Sequence, residues 1–346
     1  MIARFIYTDC ESNGPFSSGV GKKFKSISFP SAWTSVETLE SIKDRLPRNS
    51  LSEGYQQPNV PNQLTMAEFD ALPKSWAFAQ ITQDTFAFER ISTSGQCYGR
   101  NNRFDEGFIF GADTWSDLVA KFAEDTRPLQ LRPVDFVRST GWLSPRGEAE
   151  LEAAELDEGF YEISPAFREQ LKSDLATVRS LENLKYLLTS FAAAQLELSS
   201  VQIPRILAQD FFAIISILTR LTAPIFAWQI GFSDVWEHPR SNNLIDGSNP
   251  HFVLGYEDSN STALANLWAE LALEVFTQGF PGKVISKIDE ASQSLQFQHN
   301  NFSQGLALVP IAIIELGKEG IGDSQLSRRA KEVLQSLNQT EIGYVS

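Results

Sequence analysis

Along the first 150 residues the apolar positions recur mainly at alternate places, the two-residue period of a half-buried strand. Residues 4–8 form a short strand on this pattern, followed by a turn-forming stretch rich in Gly, Ser and Asn over 11–21. Phe24, Ile27 and Phe29 alternate imperfectly and predict a second strand. Residues 34–46 carry Val36, Leu39, Ile42 and Leu46 at helical spacing behind a Ser or Thr cap. Residues 49–63 are polar and hold Pro58 and Pro61, which makes them a loop. Trp76 and Phe78, then Phe86 and Phe88, predict a hairpin turning near Gln83 and Asp84. Phe108 and Phe110 continue the aromatic strand pattern, and 114–122 reads as a short helix behind Asp113 or Thr114.

After about residue 158 the period lengthens to that of helices. Ser164 before Pro165 is a helix start, because a side-chain cap precedes a proline with no amide hydrogen to lose. Phe167, Leu171, Leu175, Val178 and Leu184 then fall on one helical face. Residues 195–198 read as a strand, 204–221 as a buried helix stopped before Pro224, and 225–232 and 251–256 as two further strands. Residues 262–277 form a helix with Leu264, Leu267, Leu271 and Val275 inside. Leu326, Ala330, Val333 and Leu337 mark a last amphipathic helix opened by Asp323 or Ser324. The expected fold class is therefore α+β, a β-rich N-terminal domain over 1–158 followed by a helix-rich, α/β-like domain over 159–346.

Composition narrows the classes. The 346 residues are 42% hydrophobic and include 25 Phe and 7 Trp, which excludes an intrinsically disordered chain. Lys and Arg number 29 against 43 Asp and Glu, a formal net charge of −14. General nucleic-acid binding is not expected at that charge, since phosphate neutralisation requires a cationic face. Two cysteines, Cys10 and Cys97, do not make a disulfide framework, so a reducing cytoplasm is the expected setting. The opening residues carry no signal-peptide hydrophobic region, and no export is expected. The most apolar run, 211–218, is flanked by Asp210 and Arg220 and is far shorter than the roughly 20 residues a membrane span needs.

Candidate chemistry is sparse. Gly19-Val20-Gly21-Lys22-Lys23 only superficially resembles a phosphate loop: Phe16 stands where a glycine is required, Lys23 where a magnesium-binding hydroxyl is required, and a strand follows. Lys22, Lys23 and Lys25 are instead a solvated basic turn and a candidate contact for an acidic partner. The histidines His238, His251 and His299 are scattered singly, with no zinc-ligand spacing, so no metal or cofactor is expected. No Gly-x-Ser-x-Gly elbow occurs, and Cys10 reads as a small buried thiol rather than a nucleophile. The densest polar cluster runs from Tyr98 to Gly107. Arg100, Arg103, Asp105 and Glu106 in it are the candidate residues of a hydrolase or nuclease, or else opposite charges paired at a solvated loop.

One further stretch carries a resemblance. Arg132-Pro133-Val134-Asp135-Phe136, then Gly141-Trp142-Leu143-Ser144-Pro145-Arg146-Gly147 and an acidic run, is similar to a motif of GTPase-associated proteins from bacterial conflict systems. The Gly-rich turn over 14–21 and the buried segment with its Leu-x-x-Pro ending over 204–232 are similar to the same family. The family's Asn-aromatic-x-His string is not matched, since 102–107 lacks the histidine. Many relatives are longer, and their additional C-terminal domains are expected on a separate subunit.

The resemblance implies a component working beside a P-loop GTPase or other NTPase and an effector, in defence against phage. It implies assembly and sensing, with Arg132, Pro133, Asp135, Trp142, Pro145 and Gly147 as a structural motif and not a catalytic one. The expected function is a non-enzymatic adaptor or scaffold that binds proteins. The alternatives are the hydrolase or nuclease, and a structural assembly protein of a virion or secretion apparatus.

Overall fold

A computed structural model describes residues 2–8, 23–28, 67, 71, 74–82, 85–97, 100–111, 129–138, 166–234, 251–255, 262–292 and 302–342. The protein is a mixed α+β chain that divides into two compact units, neither continuous in sequence. The first comprises 1–118, 137–164 and 232–245; the second comprises 119–136, 165–231 and 246–346.

In the first unit, strands β1 (Ile2–Thr8), β2 (Lys23–Ser28), β3 (Ser75–Thr82), β4 (Thr85–Cys97) and β5 (Arg100–Gly111) pair antiparallel in the order β2-β1-β5-β4-β3. Phe232 and Ser233 of β7 (Gly231–Ser233) continue the pairing beside Phe78 and Ala77. The predicted hairpin is present: Thr82 and Thr85 pair across the two residues between β3 and β4. Alternation of aromatic positions builds the core, because every second side chain of a strand belongs to one face. Phe78 lies 4.5 Å from Phe88, 5.7 Å from Phe232 and 6.2 Å from Phe86, ring centre to ring centre. Glu89 and Arg90, the next two residues of β4, are also buried, with the Arg90 guanidinium 5.9 Å from the centre of the Trp76 ring. Past the end of β7, Asp234 clasps Trp76: its carboxylate accepts the Trp76 N–H at 2.7 Å, and its own N–H donates to the Trp76 carbonyl at 3.2 Å.

The second unit holds the short helix α1 (Pro133–Val137) up to Phe136, together with α2 (Phe167–Arg179), α3 (Leu184–Glu197), strand β6 (Ser200–Pro204) and α4 (Phe211–Leu218). After these come α5 (Pro224–Ala227), strand β8 (His251–Gly255), α6 (Ala263–Gln278), α7 (Pro281–Ser292), α8 (Phe302–Lys318) and α9 (Ser324–Ile342). Strands β6 and β8 pair in parallel. Helix α6 has its predicted span: the Thr262 hydroxyl accepts the Ala265 N–H, and Gly279 closes the helix at φ +85°, a conformation that glycine adopts without strain. Leu271 and Val275 are buried as expected, but Leu267 is exposed and Leu264 half-buried, because Ala265, Trp268, Ala272 and Phe276 complete the inner face instead. In α9, Leu326, Ala330, Val333 and Leu337 are buried as predicted, and Asp323 is the capping acceptor for the Leu326 N–H. Phe191 stacks on Phe252 and lies against Trp268, whose indole N–H donates to the Leu306 carbonyl at 2.9 Å.

Five local expectations are corrected. Residues 195–197 end helix α3, and Leu198 is its left-handed cap rather than part of a strand. Residues 225–232 are a short helix, a turn and the start of β7, because Pro224 fits the first turn of a helix. The apolar run over 204–221 is not one helix: α4 is flanked by 3-10 turns Arg205–Asp210 and Thr219–Leu221. Helix α2 begins behind Ala166 without a side-chain cap, and it stops at Arg179, so Leu184 starts α3 instead of extending the same face. The polar cluster over 100–107 belongs to strand β5, not to a loop. The helices expected over 34–46 and 114–122 lie outside the described residues. Among the described residues, no helix is long and apolar enough to cross a membrane.

Candidate functional site

Charged side chains gather in the interior of the second unit, around the Arg132–Pro133–Val134–Asp135 segment. Its local conformation follows from its sequence. Pro133 occupies the first helical position of α1, where no amide hydrogen is needed. Asp135, two residues on, reaches back to accept the Arg132 N–H at 2.7 Å, which is one half of a capping box. The segment thereby presents two opposite charges in fixed directions.

Arg132 is fully buried and spends its donors on carbonyls and one carboxylate. Nε donates to the Thr219 carbonyl at 3.1 Å, Nη1 to the Gln130 carbonyl at 3.2 Å, and Nη2 to the Thr222 carbonyl at 3.3 Å and to Asp289 at 2.7 Å. Thr219 and Thr222 follow α4, so the cation lies at the negative end of that helix, where it is favoured. The second Asp289 oxygen accepts the Gln130 N–H at 2.8 Å. Burial pulls the Arg132 guanidinium below the usual arginine range and the neighbouring Arg220 pulls the same way, while Asp289 and Asp135 push it back up.

Arg220 forms the second pair. Its Nη2 lies 2.8 and 2.9 Å from the two Asp135 oxygens, and its Nη1 donates to the Ser216 carbonyl and hydroxyl at 2.9 and 3.0 Å. The guanidinium also sits 5.6 Å from the centre of the Phe167 ring, within cation–π range. Two arginines and two aspartates thus compensate one another in an enclosed interior. Each pair is a strong cross-link only as a whole, because removing one partner strands a buried charge. Thr222 is held close to α8, where its hydroxyl and the Phe226 ring leave no space for a Cβ on Gly305.

Of the motif residues expected from the sequence, Arg132, Pro133 and Asp135 come together here. Trp142, Pro145 and Gly147 lie outside the described residues. Arg100, Arg103, Asp105 and Glu106 share strand β5, opposite Cys97, Thr93, Ile91 and the buried Arg90 of β4. Lys23 and Lys25 pair through the backbone with Thr8 and Ile6 in β1, and Lys22 is outside the described residues. Sequence reading missed Asp289 and Arg220, which lie 157 and 85 residues from their partners. The only available signal was an arginine at the end of the most apolar run. Among the described residues, no group of three or more His, Cys, Asp or Glu side chains is arranged to hold a metal ion. No family model, curated protein or solved structure matches the chain.

Proposed function

We propose that the chain is a non-enzymatic adaptor or scaffold subunit of a bacterial NTPase-centred conflict system, holding a P-loop GTPase or other NTPase and an effector in defence against phage. The observation that carries this reading is the use made of Arg132 and Asp135. In the described part of the motif similar to GTPase-associated proteins, these are the residues that bear charge, and both are consumed by internal bonds. A general acid or base must come within hydrogen-bond reach of a substrate proton. A guanidinium closed in by three carbonyls and a carboxylate is suited to holding a backbone rigid, which is what a docking platform requires. On this reading a β-rich N-terminal domain and a helix-rich second domain each offer a firm surface, in the cytoplasm. Lys22, Lys23 and Lys25 contact an acidic partner, while the net charge of −14 disfavours random nucleic-acid contact.

The test is association. The tagged chain, at micromolar concentration and low salt, is expected to co-purify with products of neighbouring genes and to hydrolyse no nucleotide by itself. Failure of every neighbour to associate overturns the proposal, as does nucleotide turnover by the isolated chain.

A further inference from the structure

We infer that residues 130–136 fill, in cis, a peptide-recognition groove of the second unit, one whose chemistry takes an Arg-Pro-apolar-Asp segment. Both flanks of this stretch, up to 118 and from 137 to 164, belong to the first unit, while 119–136 belongs to the second. Its only regular structure within the described residues is the five-residue helix α1. Leu131, Arg132, Val134 and Phe136 are nonetheless fully or almost fully buried. The bonds that hold it go mostly to other parts of the unit: Arg132 to Thr219, Thr222 and Asp289, Gln130 to Asp289, and Asp135 to Arg220. Phe136 meets Trp228 edge-on, ring centres 5.9 Å apart.

This is how a bound peptide is recognised. Charged anchors meet fixed opposite charges at both ends, apolar side chains fill the space between, and the proline and the internal cap set the backbone shape beforehand. Each anchor along the segment has its partner: Asp289 and two carbonyls receive the arginine, Arg220 receives the aspartate, and Trp228 receives the phenylalanine. A tethered segment has an effective concentration of order millimolar, so a free peptide gains access only when the resident one is weakened.

The experiment uses a fluorescent peptide of residues 129–137 and the full chain, with folding of each variant checked by circular dichroism. The chain carrying Arg132→Ala and Asp135→Ala is expected to bind the peptide saturably, at least about 30-fold tighter than the unaltered chain does. A peptide with alanine in place of its arginine is expected to lose at least about 30-fold in affinity for that variant. Absence of binding to the folded variant, or equal binding of both peptides, overturns the inference. Native-state hydrogen exchange on the unaltered chain decides the matter if the variant does not fold. The amides of 131–137 are expected to open together at lower free energy than those of α4 and α7. Their exchange only through global unfolding would make the segment integral core and overturn the groove.

Discussion

Asp234 shows how one side chain can be both a structural clasp and a liability. Burial of the carboxyl raises it from 3.8 to about 7, against the lowering effect of the Trp76 N–H that it accepts. The sign of the pH effect follows. Below about pH 4 the carboxyl is protonated folded or unfolded, whereas from pH 4 to 7 the folded form retains a proton that the unfolded form releases. Stability relative to Asp234→Asn is therefore expected to fall as pH rises through that window. Denaturant titrations of both proteins at pH 4, 5.5, 7 and 8 check it, and a flat difference contradicts the raised value. Leu198 is a second local cost: it caps α3 at φ 54°, ψ 46°, and the residue is 40% exposed. Replacing it with glycine removes left-handed strain at some expense in chain entropy, and is expected to raise stability by up to ~1 kcal/mol in urea unfolding. Neither residue announced itself in the sequence, because burial and a positive φ are set by what packs around them.

Elements whose apolar positions recur cleanly were legible. Helices α6 and α9 lay within a residue of their predicted starts, and the aromatic strands β3 and β4 and the Phe108–Phe110 end of β5 were apparent from alternation, whereas the polar first part of β5 was not. Helix α3 was not, since its Ala192-Ala193-Ala194 run is apolar all round and offers no face to read. Helices α7 and α8 hide behind breakers: Pro281 and Gly282 open the one, and Gly305, Pro310 and Gly317 interrupt the other. Pro310 has no N–H to give the Leu306 carbonyl four residues earlier, and the Trp268 indole supplies the missing donor. That substitution of donors predicts a coupling. Trp268→Phe alone is expected to cost roughly 1–3 kcal/mol for the stranded carbonyl. In a Pro310→Ala background, where residue 310 regains an amide hydrogen, the cost is expected to shrink by at least ~1 kcal/mol. A double-mutant cycle in guanidinium unfolding measures it, and strict additivity would show that the indole bond is incidental.

At the scale of the molecule, the paired arginines and aspartates join stretches far apart in sequence. Arg132, Pro133 and Asp135 were singled out beforehand only as a motif with a recognisable order of residue types; neither their local cap nor their buried ion pairs were read from it. Their partners were not legible, since nothing within a few residues of Asp289 or Arg220 reveals an opposite charge arriving from over 80 positions away. Arg132→Met is expected to cost about 3–5 kcal/mol, because Asp289 is left buried without its cation. Adding Asp289→Leu is expected to recover a large part of the loss; a double variant no more stable than the single one would mean that the pair contributes through shape alone. The order of synthesis gives the same bond a temporal side. Arg132 emerges from the ribosome 157 residues ahead of Asp289, an interval of roughly 8–30 s at ~5–20 residues per second. For that time the nascent chain carries an arginine whose counter-charge has yet to be made, so translation products ending short of α7 can bring Thr219, Thr222 and Trp228 to the segment but leave its buried cation without Asp289.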